Sequence, residues 1–306
     1  MDFKDFIAGK EDDGRRLDKV LRIIIPGQNL SNLYKSLRKG LIKVNRKKAE
    51  PSYKICVNDK ITVAMVLLEE SGQKGQTQLQ TDFSLIKEMI IFENEHFLIL
   101  NKPAGMLVQK AKKDEPALDD YVKSYLDSQC NDNGLSFRSG PLHRIDKNTY
   151  GIVCFSKSLE GAKWFSKELK NNNIKKEYLA VVQGALEQSQ EWTDYISKNQ
   201  NDGGFQTVKV KAAPDDDAKI AITKVEPVKT EEFKGQTISY VKFEIKTGRH
   251  HQIRAQSAFH GFPLFGDTAY GGLKSDFNNG NYYLCACRLE FPKNELGLPS
   301  ILSLRT

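Results

Sequence analysis

No stretch of the 306 residues approaches the roughly 18 consecutive apolar positions of a membrane-spanning helix. The opening MDFKDFIAGKEDD is acidic and lacks the apolar core of a secretion signal. The cytoplasm is therefore the expected compartment, with no membrane partner. Cysteine is scarce: Cys56, Cys130, Cys154, Cys285 and Cys287 are odd in number and scattered, which excludes a disulfide framework and predicts reduced thiols. His143, His250, His251 and His260, with Cys285 and Cys287, lack the spacing of a zinc ribbon or of a His-Glu-x-x-His helix, so no metal is expected. Neither Gly-x-Gly-x-x-Gly nor a phosphate loop occurs, which leaves nucleotide cofactors unsupported, and Ser156 is not in a Gly-x-Ser-x-Gly elbow. No fixed-period repeat is present.

Net charge is +7, and all of it lies at the front, where residues 1–65 hold 15 basic and 8 acidic side chains while residues 66–306 hold 31 of each. Lys35, Arg38, Lys39, Lys43, Arg46, Lys47 and Lys48 form a run without an acid. The apolar stripe Leu30, Leu33, Leu37 and Leu41 turns inward, which pushes Lys35, Arg38 and Lys39 outward beside the turn carrying Arg46 to Lys48. Such a surface attracts phosphates. From charge alone, a solvated face serving solubility stays equally open.

Composition shifts once, over the polar stretch ESGQKGQTQLQTD, and divides the chain into a front module at 14–68, a linker at 69–88 and a large domain at 89–306. In the front module, two helices are predicted, one stopping at Pro26 and one starting at Ser31 and ending at Gly40, with strands at 42–45 and 60–68. The large domain shows strands around a turn at Glu93 to Glu95 and near 151–156, 177–183, 206–212, 218–226, 237–247 and 282–291. Helices are predicted at 116–127, 158–170 and 250–259. Strands dominate without strict alternation, so the fold class is α+β with a mixed, mostly antiparallel sheet, preceded by a small helix-and-strand module.

Three segments of the large domain set polar residues and glycines among apolar surroundings: PLHRIDKNTYGIVCFSKS at 141–158, KKEYLAVVQG at 175–184, and KTGRHHQIRAQSAFHGFPLFGDTAYGG at 246–272. His143, Arg144 and Asp146 lie in a loop entering an apolar strand, and Gln252 and Arg254 open a helix, so polar groups collect at strand ends. Taken alone, Asp146 reads more readily as a helix or turn cap than as a catalytic group.

The joint pattern says more. HRIDKNTYG, KKEYLAVVQG, TGRHHQIRAQ and GFPLFGDTAYGG, in that order over about residues 89–292, resemble the RluA-type family of RNA pseudouridine synthases. The front module, with its RLD opening, basic second helix, turn from Gly40 to Asn45 and late Asn-Asp, resembles the alpha-L (S4-like) RNA-binding module. The resemblance implies a cofactor-free, monomeric isomerase converting uridine to pseudouridine, with RNA as partner. Large-subunit ribosomal RNA is the implied substrate; transfer RNA and a catalytically silent RNA-binding protein are the alternatives.

Residue by residue, the family pattern implies that Asp146 of HRxDxxT is the catalytic aspartate and that Arg144 enters the stack vacated by the uridine. It implies that Tyr178 is the active-site tyrosine and that Arg249 pairs with Asp146. Thr149, Gln252 and Arg254 support the site, and His143 and His251 brace its loops. The seven basic side chains from Lys35 to Lys48 are the implied RNA contacts. The chain departs from the pattern at Asn32, at Gln109 and at Tyr150, where a bulky phenol stands four residues from Asp146 in place of serine.

Overall fold

The computed structural model describes residues 2–70, 83–110, 115–129, 134–198, 207–274 and 281–305. Cys130, Gln206 and residues 71–82 of the expected linker lie outside the described residues. The small unit opens with strand β1 (Phe3–Ile7) and helix α1 (Leu17–Ile24). Leu17, Val20 and Leu21 share the buried face of α1, and the helix stops where Pro26 restricts Ile25. Helix α2 (Leu30–Lys39) is capped by Asn29, whose Oδ1 accepts from the Asn32 N–H at 2.8 Å. Ser31, the expected cap, already lies within the first turn. Gly40 ends α2 at φ 73°, as expected.

Strands β2 (Ile42–Val44) and β3 (Lys60–Ala64) complete a sheet of order β1–β3–β2. The strand expected through residue 68 stops at Ala64, and Met65–Glu70 forms helix α3, in keeping with the helix preference of Met, Leu and Glu. Strand β1, paired with β3, adds to the unit ahead of the expected start at residue 14. No sequence pattern signals β1, because its side chains are mostly exposed and show no apolar alternation. Leu17, Leu21, Leu33, Leu37, Ile42, Ile61 and Val63 form its core. Each contributes about 1.5–3 kcal/mol as an upper figure for full burial.

The large unit begins at helix α4 (Phe83–Met89), inside the stretch read as linker. Ile86 and Met89 are buried there and Phe83 packs on the same core, a spacing of three that polar neighbours concealed. Strands β4 (Ile90–Glu93) and β5 (Phe97–Lys102) follow, their turn held by Asn94 Oδ1, which accepts from the N–H of His96 and of Phe97 at 2.9 and 2.8 Å. Helix α5 (Leu118–Ser128) buries Leu118, Val122, Tyr125 and Leu126, as its periodicity requires. Next come β6 (Gly140–Pro141), β7 (Tyr150–Ser156), helix α6 (Leu159–Lys170) and β8 (Lys175–Gln183). The remainder is β9 (Gln190–Lys198), β10 (Val208–Lys211), β11 (Lys219–Phe233), β12 (Gln236–Ile245), helix α7 (Gln252–Phe259), β13 (Leu284–Glu290) and β14 (Ile301–Ser303).

The sheet runs β10–β9–β11–β12–β8–β13–β7–β5–β4, with β14 on β13 and β6 on β7. Every pairing is antiparallel except β13 with β7, so the expected mixed, mostly antiparallel class holds. In β5 and β7, alternate side chains serve two layers. Leu98, Leu100, Val153 and Phe155 join the larger core, while Phe97, Ile99, Ile152 and Cys154 pack with Phe165 of α6. No helix among the described residues is long and apolar enough to cross a membrane.

The parallel β7–β13 contact depends on one glycine. Gly151 has φ 118°, and a Cβ there would lie 2.4 Å from the Ala286 carbonyl oxygen. Neither the dihedral nor the space admits a side chain. Gly151→Ala is expected to destabilise the protein by about 2 kcal/mol or more, read as a lower chemical-denaturation midpoint.

Candidate active site

Asp146 sits in the loop between β6 and β7, with about a fifth of its side chain open to solvent (22%). Two side chains and one backbone bond hold that loop. His143 Nε2 accepts from the Cys154 N–H of β7 at 3.2 Å, and its ring lies parallel to Phe165. Burial, then nearby Lys176, takes the His143 pKa down to about 4, so the ring is a neutral acceptor. Thr149 is buried, and its N–H donates to the Asp146 carbonyl at 3.2 Å. Lys102 has no exposed surface; its ammonium donates to the carbonyls of Pro103, Met106 and Lys147 at 2.8, 2.8 and 2.9 Å. One buried cation thus ties the end of β5 to the residue after Asp146. Burial lowers its pKa to about 8, against the pull of Asp146.

Arg249 was expected to face Asp146, and the structure corrects this. Arg249 precedes α7, and its Nε donates to the Ile220 carbonyl at 2.8 Å, near the start of β11. The guanidinium beside the carboxylate belongs to Arg254, whose Nη1 stands 3.7 Å from Asp146 Oδ2. The reason is helical geometry. Helix α7 is buried from Gln252 through Ser257, Arg254 included, whereas Arg249 lies ahead of the first turn.

Arg254 is itself fixed by a two-pronged pair with Asp267, Nε to Oδ2 at 2.7 Å and Nη2 to Oδ1 at 2.8 Å, both side chains being buried. Its guanidinium lies 5.0 Å from the Tyr270 ring centre and 4.6 Å from that of Tyr282. Burial opposes its charge, but Asp267, Tyr282 and Asp146 outweigh it, so Arg254 stays charged. Breaking such a buried pair by removing one partner costs about 3–5 kcal/mol.

Gln252, expected as a support, is hydrogen-bonded on both sides of its amide. Its Oε1 accepts from Thr247 Oγ1 and the Arg249 N–H, and its Nε2 donates to the Ile222 carbonyl and Thr223 Oγ1. His251, in the left-handed region at φ 53°, shares a 2.9 Å hydrogen bond between Nδ1 and the Tyr270 hydroxyl and places Nε2 3.8 Å from Asp146 Oδ2. Burial, Arg254 and His250 bring its pKa down to about 2, so it is neutral. Asp146, His250 and His251 do bring three ligand atoms within 4.8 Å of one another. A metal ion there would compete with the Arg254 guanidinium, already locked onto Asp267, for the same carboxylate.

Tyr178, in the middle of β8, is buried, and burial followed by the Asp146 charge holds its phenol well above the usual range. It stays protonated at neutral pH and presents a ring and a donor rather than a base. Arg144 is exposed, with no ion pair or hydrogen bond among the described residues. Tyr150 packs edge-on against Tyr283, ring centres 5.4 Å apart. Its ring also lines a cavity of about 490 Å³ with Met89, Asn101, Lys102 and Pro103.

On the small unit, Lys35, Arg38, Lys39, Arg46, Lys47 and Lys48 are exposed and Lys43 partly so; none makes an ion pair among the described residues. Asn45 and Arg46, at φ 49° and 66°, form a two-residue hairpin turn closed by paired 2.9 Å hydrogen bonds between Val44 and Lys47. The Asn45 side chain locks it, donating to Asp59 Oδ1 and accepting from the Lys60 N–H. The basic turn is therefore presented rigidly beside α2.

The Asp146 carboxyl is raised by burial, lowered by Arg254 and then His250, and raised again by Asp267. Arg254 is the strongest influence keeping it ionised. Arg254→Gln should move the Asp146 pKa upward, measured by carbon-13 NMR titration of the labelled carboxyl; an unmoved titration would contradict the pairing described here.

Comparison with known proteins identifies the family. The sequence model of the RNA pseudouridylate synthase family matches residues 96–259, and that of the S4 domain matches residues 15–61. The chain is 30% identical over 303 residues, 97% of its length and 92% of the relative's, to an uncharacterised RNA pseudouridine synthase of Mycoplasma genitalium. It is 31% identical to the ribosomal large subunit pseudouridine synthase C of Rickettsia bellii, covering 85% of this chain and 83% of that one. To the protein of the same name from Escherichia coli K12 it is 25% identical, covering 87% and 79%. The fold is that of human RNA pseudouridylate synthase domain containing 1, with TM-score 0.57, 20% identity, and coverage of 71% of this chain and 82% of that one. Family models, relatives and fold converge: this chain belongs to the RluA-type family of RNA pseudouridine synthases, which are isomerases, and carries an S4 RNA-binding domain at its front.

Proposed function

We propose that the protein isomerises specific uridines to pseudouridine in large-subunit ribosomal RNA, with Asp146 as the catalytic carboxylate. The observation that carries this reading is the position of Asp146, in a partly dry loop with Arg254 3.7 Å away and Tyr178 close by. The substrate assignment is supported by relatives named for the large ribosomal subunit.

The reaction breaks the bond from ribose C1′ to uracil N1, turns the base and joins C1′ to C5. A proton leaves C5 and one is gained at N1, so nothing is oxidised and no group is lost. Asp146 either adds to C1′ or takes a ribose proton, and both routes start from the ionised form. Arg254 opposes the desolvation that would otherwise neutralise it. The base must first leave the RNA stack, at a cost of a few kcal/mol. The planar, exposed guanidinium of Arg144 is suited to refill the gap, and Tyr178 offers a ring against the detached base. The basic face of α2 and its neighbouring turn supply sequence-tolerant grip on phosphates.

Asp146→Asn should lower pseudouridine yield on ribosomal RNA by about 10³-fold or more, measured by site mapping after incubation without added metal or nucleotide. Equal yields from wild type and variant would sink the assignment. The carboxyl pKa is raised, so the ionised form is present above that pKa and lost as pH falls through it; kcat/KM should decline on acidification from a higher pH than an ordinary Asp would give. Replacing Lys35, Arg38 and Lys39 with Gln should flatten the log–log salt dependence of RNA binding by about 0.9 per lost phosphate contact, read by binding titrations at several salt concentrations.

A further inference from the structure

A polar tether between an RNA grip and a catalytic domain would let the grip wander. Side chains in this protein prevent that. Between β1 and α1, Lys10–Asp12 form a short 3-10 turn that lies against the large unit. Asp12 has no exposed surface. Its Oδ2 accepts from the Gly9 N–H at 2.9 Å and the Leu135 N–H at 2.7 Å, and its Oδ1 accepts from the Ser136 N–H at 2.9 Å and from the Ser136 hydroxyl. Glu11 Oε2 accepts from the N–H of Leu159 at 2.7 Å, where the start of α6 favours negative charge. Leu135, from the large unit, packs on the core of the small one. Gly134 makes room: a Cβ there would lie 2.5 Å from Asp12 Oδ2.

A carboxylate is tolerated without water only when its oxygens are fully hydrogen-bonded, and three of these four bonds come from across the junction. Undocking would break three of the four hydrogen bonds to Asp12 and uncover Leu135. We infer that Asp12 and Glu11 are positioning residues that hold the basic face of α2 at one distance and angle from Asp146. The substrate selected is then a folded RNA whose helical element and target uridine stand at a matching spacing, rather than any single strand that carries the uridine. This deepens, and rests on, the isomerase reading of Asp146.

The test uses the full chain as wild type, Asp12→Ala and Gly134→Ala, the two variants attacking the junction from opposite sides. Each is examined by small-angle scattering, by steady-state turnover on a folded ribosomal RNA domain and on a short target hairpin, and by pseudouridine mapping. Expected in both variants are a larger radius of gyration and a KM for the folded RNA raised about tenfold. The kcat and the hairpin turnover should be unchanged, and pseudouridine should appear at additional uridines. Unaltered scattering overturns the proposal, as does altered scattering with wild-type KM and site pattern. So does an equal fall of kcat on both RNAs, the mark of general misfolding. If the wild type makes no pseudouridine on any RNA, the reading of Asp146 fails separately, and scattering with RNA affinity still decides whether Asp12 docks the module.

Discussion

The site depends on the buried pair between Arg254 and Asp267. A guanidinium that was free to swing would leave Asp146 in a poorly hydrated loop with no fixed counter-charge. Asp267 takes two of the five Arg254 donors in a planar fork, and Tyr270 and Tyr282 occupy its faces. What remains points at the carboxylate. The pair is an orienting device: its own attraction is offset by desolvation, but it leaves the third nitrogen with one direction to face.

Below the carboxylate, the same logic is repeated with a different cation. Lys102 engages three backbone carbonyls around the Asp146 loop, so its charge acts mainly on main-chain dipoles. Neutral His143 and His251 complete the frame by accepting or sharing hydrogen bonds. Around Asp146, the charged groups that can move toward RNA are few, and exposed Arg144 is the clearest of them. On the proposed reading, a fixed frame beneath and an exposed guanidinium above suit a reaction in which a base must be drawn out of RNA while the carboxylate stays still.

How much of this was legible beforehand depends on where in the chain each group came from. Asp146, Arg144 and Tyr178 lie in compact motifs whose order carried the resemblance. Arg249 and Arg254 share one motif five residues apart, and only the start of α7 decides which of them turns inward. Asp267 and Tyr270 lie in the GFPLFGDTAYGG motif, but only the fold, which brings them and Tyr282 to Arg254, gives each a role. Strand β9 was missed because Asp194 occupies one of its inward positions; the hydrogen bonds that satisfy it come from Gln256 and His260 on and after α7. Helix α4 was hidden by the polar stretch before it.

The parallel contact of β7 with β13 has a further consequence, which concerns the order of synthesis. Chains emerge from the ribosome from the N-terminus, and domains tend to fold as units as they appear. The small unit is complete by residue 70, whereas Asp146 must wait for a strand whose pairing residues are Cys285 and Ala286. Arg254, Asp267 and Tyr282 also arrive late. A nascent chain therefore carries its S4 domain long before it carries an oriented Asp146 carboxylate, and on the proposed reading the chemistry is withheld until residues 285–286 have been made.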